Sequence, residues 1–184
     1  HAGTTPMPLR RDALAGAAEF IRLVESTARL RQPLVATVGT IAVAPGAPNV
    51  IPGEAVFSLD VRHPRDAARR DALRHLLDEA TAIARRRRLA FTWERTQDNN
   101  AVRCARALTK KLAASVEAVQ GRSLELVSGA GHDGVAMSAV TPVAMLFVRC
   151  RNGLSHHPEE YASPADLEVA LCVMVDFLER VKAN

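Results

Sequence analysis

The hydrophobic period of the first half of the chain switches in a set order, and that order constrains the fold more than any other feature. Leu14, Ala17, Ala18, Ile21 and Val24 recur at helical spacing after Pro6 and Pro8. Pro33 closes that segment. Leu34 to Val43 reads as a strand, and the breaker-rich loop Ala44-Pro45-Gly46-Ala47-Pro48 follows it. From about Glu54 to His63 the period is two, with Phe57, Leu59 and Val61 facing one way and Ser58, Asp60 and Arg62 the other. A second helical stripe carries Leu73, Leu76, Leu77, Ala80 and Ile83, and Leu89, Phe91 and Trp93 then alternate as a third strand. With one more strand ahead of His1, residues 1–97 would complete a β-α-β-β-α-β unit, the ferredoxin-like split βαβ sandwich.

The polar stretch Thr96-Gln97-Asp98-Asn99-Asn100 reads as a boundary, and the rhythm beyond it differs. A helix from about Val102 to Val119 should stop at Gln120-Gly121. Leu124 to Val127 is expected as a short strand entering the turn Ser128-Gly129-Ala130-Gly131. Val143 to Val148, an unbroken apolar run, is expected as a strand covered on both faces. Ser163 as N-cap, Pro164 and Asp166 open a last helix bearing Leu167, Ala170, Leu171, Met174, Phe177, Leu178 and Val181. Residues 98–184 thus read as the end of an α/β sheet, and the expected class is α/β with an α+β first half.

Composition narrows the function. Of the 184 residues, 48% are apolar and 24% charged, enough for a packed core and unlike a disordered or low-complexity chain. No apolar run approaches the roughly 20 residues of a membrane helix, so a soluble protein without membrane partners is expected. Cys104, Cys150 and Cys172 are an odd set without a C-x-x-C pair and read as reduced, buried thiols of a cytoplasmic protein. A net charge of +4 invites a nucleic-acid reading, but much of the excess lies in Arg85 to Arg88 at one helix end, which read as a solvated face. Aromatics are 4% of the chain, which leaves few platforms for bases, so no nucleic-acid partner is expected.

Four polar clusters fall in loops or at strand ends, where sites are commonly built. They are His1-Ala2-Gly3-Thr4-Thr5-Pro6-Met7, then Pro48-Asn49-Val50-Ile51-Pro52-Gly53 with Asp60-Val61-Arg62-His63, then Gly129-Ala130-Gly131-His132-Asp133, and last Gly153-Leu154-Ser155-His156-His157-Pro158-Glu159-Glu160. Singly each has an ordinary explanation. Asn49 and Gly53 shape a turn, Arg62 pairs with Asp60 on a strand surface, and Gly129 and Gly131 punctuate the backbone. Ser155 beside His156 lacks the G-x-S-x-G elbow of a serine hydrolase.

Taken together and in this order, HAGTTPM with RRDAL, PNVIPG with FSLDVRH, SGAGHD and GLSHHPEEY resemble the hydantoinase/carbamoylase branch of the M20-type metal-dependent amidohydrolases. The resemblance spans nearly the whole chain. It implies that residues 1–97 are most of a lid and dimerisation domain and residues 98–184 the last part of a metallohydrolase catalytic domain. It places a metal-ligand role on His156, a carbonyl-steadying catalytic role on His1, often exercised across a dimer, and substrate contacts on Asn49, Arg62 and His132. Glu159 and Glu160 are candidates to orient the ligand.

The same resemblance implies two divalent ions (zinc, manganese or cobalt), of whose ligands only one stands here, a homodimer, and a small ureido or carbamoyl substrate. The other ligands and the general base belong to motifs ahead of HAGTTPM, so this chain alone is expected to be inactive. An M20 peptidase or aminoacylase, and a non-catalytic module binding carboxylates through Arg62 and Asn49, are the alternatives. An arginine fork suits a planar carboxylate, and a neutral imidazole suits these metals.

Overall fold

A computed structural model describes residues 1–183, which form two compact units, His1–Ala101 and Val102 onward. In the first unit, α1 (Ala13–Leu30) starts on Asp12, whose carboxylate accepts the Ala15 N–H at 2.9 Å. The buried face of α1 is Ala17, Phe20, Val24 and Thr27, one flank over from the expected stripe. Leu14 and Ala18 point to solvent, because the helix turns Phe20 inward to meet the Phe57 ring, with centroids 5.5 Å apart. Helix α2 (Asp66–Arg87) buries Ala72, Leu76, Ala80, Ile83 and Ala84, leaving Leu73 and Leu77 half-buried. It ends on Arg88 in the left-handed conformation, φ 57°, with Arg88 where a glycine is usual.

The two strands expected between these helices are each broken in two. β1 (Val35–Thr37) pairs antiparallel with β4 (Asp60–Arg62), and β2 (Ile41–Ala44) with β3 (Glu54–Phe57). Val35 faces Arg62 and Ile41 faces Phe57, so three residues (Val38, Gly39, Thr40) oppose two (Ser58, Leu59). That is one ladder with a bulge at Gly39, bridged by Ser58 N–H to Thr40 O (3.1 Å) and by Thr40 N–H to Ser58 Oγ (3.0 Å). The extra residue slips the phase of the first strand: Leu34, Ala36 and Val38 turn inward, then Val43. The second strand keeps its phase, with Ala55, Phe57, Leu59 and Val61 against the helices and Asp60 and Arg62 outward.

Leu89 to Glu94 forms no ladder among the described residues, contrary to the sequence reading, although Phe91 packs on the Phe20–Val24–Leu76 core. The polar stretch after it is tethered. Asp98 accepts from Arg69 (2.5 Å) and Arg95 (2.8 Å), Asn100 from Arg70, and Asp66 from the Ala101 N–H.

In the second unit α3 (Arg106–Gln120) packs on α5 (Pro164–Lys182) around Leu112, Ser115 and Val173. Gly121 stops α3 at φ 77°, and Ser163 caps α5 by accepting the Asp166 N–H at 3.1 Å. α4 (Asp133–Met137) is a single short helix. The strands expected at 124–127 and 143–148 are not formed among the described residues, and the second is not covered on both faces: Phe147 and Val148 are exposed. A buried strand needs ladder partners on its edges, and no described segment supplies them. Cys104 and Cys172 are exposed, correcting the expectation of buried thiols, and Cys150 is half-buried. Cys104 precedes α3 in irregular backbone, and Cys172 lies off the α5 face that buries Val173. No helix among the described residues is long and apolar enough to cross a membrane.

Candidate functional site

The His1 turn and the Asn49 loop meet. Ala2 N–H donates to the Asn49 carbonyl at 2.8 Å, and Ala13 N–H to that of Pro52 at 3.0 Å. Thr4 and Thr5 N–H both point at the His1 carbonyl, and Gly3 N–H donates to His1 Nδ1 at 3.1 Å. An Nδ1 that accepts carries no proton in the neutral ring, so the proton sits on Nε2. The exposed edge of His1 is therefore an N–H donor, suited to an oxygen that gains negative charge.

Arg62 lies elsewhere. Its guanidinium forms a bidentate pair with Asp60, Nε to Oδ1 at 2.8 Å and Nη2 to Oδ2 at 2.7 Å, with both side chains about half exposed. The arginine's hydrogen bonds and charge hold the Asp60 carboxyl below its usual range, and Asp60 in turn raises Arg62. Arg62 pairs with Val35 at one end of the ladder, whereas the Asn49 loop joins β2 to β3 at the other. Eight residues separate Glu54 from Arg62, roughly 26 Å of strand. One chain brings His1 and Asn49 together and keeps Arg62 apart from them.

In the second unit, His132 precedes α4, with Nε2 2.7 Å from Ser128 Oγ. That hydroxyl accepts the Ala130 N–H and faces the Ala130 carbonyl, each at 3.3 Å, so its one proton serves either that carbonyl or Nε2 and both tautomers of His132 fit the geometry. His156 has Nδ1 2.8 Å from Ser155 Oγ, a hydroxyl able to accept as well as donate. When it accepts, the lone pair of His156 falls on Nε2, the arrangement a metal-binding imidazole needs. His157 differs: its Nδ1 accepts the Glu159 N–H at 3.2 Å, which puts the proton on Nε2 and leaves no ligating lone pair in the neutral ring.

His156 also sits at φ +59°, a conformation that costs a residue with a Cβ about 1 kcal/mol or more. Glu160 holds it there by accepting the His156 backbone N–H at 2.9 Å. The glutamate thus orients the backbone of the candidate ligand, and Ser155 orients its ring. The described residues gather no cluster of three or more histidine, cysteine or acidic side chains. Among the described residues the donors at this site amount to one imidazole, which suits a metal ion as a member of a larger set.

Three residues important to this geometry received no role from the motifs, although Arg10 stands in RRDAL. Arg10 donates Nε–H to the Thr5 carbonyl (3.0 Å) and Nη2–H to that of Ala2. Arg88 donates to the Pro8 carbonyl at 2.6 Å. Glu19 accepts from Arg86 and from Arg87 (2.7 Å), and those guanidiniums hold its carboxyl below the usual range. The basic end of α2 is therefore not simply solvated but pairs with α1 and the segment before it.

Comparison with known proteins agrees with the motifs. An allantoate deiminase of Arabidopsis thaliana is 37% identical over 97% of this chain and 39% of its own length. An N-carbamoyl-L-amino-acid amidohydrolase of Pseudomonas sp. (strain NS671) is 38% identical over 91% of this chain and 41% of its own. A hydantoinase/carbamoylase family amidase of Burkholderia multivorans superposes with a TM-score of 0.91 at 37% identity, covering 98% of this chain and 44% of that one. The chain spans about two fifths of the length of the curated relatives it matches. Residues 12–180 match the model of Peptidase family M20/M25/M40, and the chain belongs to that family.

Proposed function

We propose that this chain is the substrate-gripping and closing part of a metal-dependent amidohydrolase that cleaves the carbamoyl or ureido C–N bond of N-carbamoyl-L-amino acids or allantoate. Residues 1–97 act as the lid and dimerisation domain, of the ferredoxin-like kind, and 98–184 as the end of the catalytic domain. Relatives named for both substrates, each matched along more than nine tenths of this chain, support the reaction class.

In this reading the Arg62 fork takes the substrate carboxylate, Asn49 its amide, and the His1 Nε2–H the carbonyl oxygen as charge develops on it. His132 offers its Nδ1 edge as a further contact, since Nε2 faces Ser128. His156 supplies one donor to a pair of divalent ions, which when bound polarise the carbonyl and furnish hydroxide at neutral pH. The remaining ligands and the general base fall to residues outside these 184, so the chain alone is inactive.

The observation that carries the proposal is the separation along the ladder. His1 and Asn49 share one end, and Arg62 stands at the other. A small substrate with a carboxylate at one end and a ureido group at the other meets all three only when two copies contribute. A homodimer through the first unit supplies that arrangement.

The test is ammonia release by the chain extended upstream to the length of its relatives, with manganese added, on N-carbamoyl-L-amino acids and allantoate. Turnover is expected from the extended chain and not from the 184 residues. Arg62→Ala should raise KM by about 10–100-fold, the worth of charge-assisted bonds to a carboxylate. Turnover only of N-acyl amino acids or dipeptides would assign a peptidase or aminoacylase instead. A folded, metal-loaded protein inert on all of them would leave the carboxylate-binding module.

A further inference from the structure

The segment bearing His1 has little apolar anchorage: Met7 and Leu9 are exposed and its 3-10 turn buries nothing. The carbonyls of Ala2 and Thr5 instead converge on Arg10, through Nη2 and Nε respectively. Those two donors lie on one rigid edge of the guanidinium, so binding both carbonyls fixes their separation and the twist of the turn between them. That turn carries the Gly3 N–H that sets the His1 tautomer and the Ala2 N–H that docks on Asn49. It has little slack: a Cβ on Gly3 would lie 3.2 Å from His1 Cε1 and 3.4 Å from Nδ1. Arg86 and Arg87 are occupied by Glu19, and Arg88 by Pro8, so Arg10 alone among these neighbouring arginines grips the Ala2–Thr5 turn.

We propose that Arg10 is a positioning residue for His1, holding the turn so that the imidazole keeps its proton on Nε2 and aims it at the substrate oxygen. This rests on the reading of His1 as the donor to that oxygen, and two measurements separate the claims. The first is the ¹⁵N spectrum of the histidine rings in the full 184-residue chain. His1 should show an unprotonated Nδ1, and Arg10→Met should lose that bias. Gly3→Ala, whose Cβ would press on the Nδ1–Cε1 edge of the ring, should lose it as well.

The second is steady-state kinetics of the extended protein. Arg10→Met should lower kcat on the order of 10²-fold, as a small misplacement of a catalytic donor does, and leave KM near its starting value because the Arg62 anchor is intact. Arg10→Lys, which keeps the charge and lacks the fork, should not restore kcat and guards against a fold lost in the methionine variant. Arg29→Met, which breaks an exposed pair with Glu25, should change neither quantity. An unchanged His1 tautomer in both Arg10 variants would overturn the positioning role. A lost tautomer with kcat unchanged would overturn the His1 reading and leave the hold of Arg10 on the turn standing.

Discussion

Arg62 points outward only because the alternate residues of its strand are held inward by the helices, so the core that holds them is the first thing to perturb. Leu76 is the natural target. It is 0% exposed at the centre of Phe20, Val24, Ala80 and Ile83, with Phe57, Leu59 and Val61 of the ladder packed on them. Leu76→Ala removes three carbons, about 2.4 kcal/mol of transfer free energy at about 0.8 per buried methylene. A residual cavity of roughly 50 Å3 adds about 1 kcal/mol, for a total of about 3.5. With a urea slope of about 1.2 kcal/mol/M for a unit of this size, the midpoint falls by about 3 M. The assay is urea unfolding followed by far-UV circular dichroism and by the fluorescence of Trp93, the single tryptophan, which lies in the first unit. Leu30→Ala is the control: the same change at the end of α1, where the side chain is 86% exposed, should move the midpoint by less than about 0.5 M. Equal shifts for the two variants would refute the assignment of Leu76 to the core and of Leu30 to the surface.

Two further outcomes follow from the polar contacts. Glu19, Asp60, Asp98 and Asp176 are all held below their usual range, in each case first by a hydrogen bond from arginine: Arg87, Arg62, Arg69 and Arg180. A carboxyl whose folded pKa lies below its unfolded value stabilises the fold above the unfolded pKa and loses that contribution as pH falls through the folded one. Thermal stability should therefore be flat from neutrality to about pH 5 and fall below about pH 4.5, and a fall beginning near pH 6.5 would point to histidine instead. Ser163→Ala removes the cap of α5, where the hydroxyl accepts the Asp166 N–H and donates to its carboxylate at 2.6 Å. It should cost about 1 kcal/mol in urea unfolding, with Ser163→Asp recovering most of it.

Much of this structure is legible in the residues, and the remainder was hidden for identifiable reasons. The four long helices follow from 3.6-residue periodicity, and Gly121 and Ser163 end and start them as their chemistry requires. Phe20 escaped the stripe because two overlapping rows on α1 are apolar, and only the position of Phe57 selects between them. The bulge left a trace in the sequence, a glycine at 39 in the middle of an apolar strand, but its register belongs to the pairing. At 89–94, 124–127 and 143–148 the apolar pattern reports a tendency to be buried and says nothing of who supplies the hydrogen bonds. The motif histidines were visible as residue types. Their tautomers were not, since these depend on Gly3, Ser128, Ser155 and Glu159 donating or accepting at particular nitrogens. Nor does spacing reveal that Asn49 and Arg62, thirteen residues apart, lie at opposite ends of a ladder.

That separation makes the division of one substrate site between two copies the central claim, and mixed dimers test it most directly. Extended chains carrying Arg62→Ala or His1→Ala are each expected to be nearly inactive alone. When the two are co-expressed, half of the randomly paired dimers hold one intact site of two, so ammonia release should return to about a quarter of the wild-type rate. Activity that stays at the level of the single variants, in dimers shown to contain both chains, would contradict the shared site and require Arg62 and His1 of one chain to meet on the same substrate.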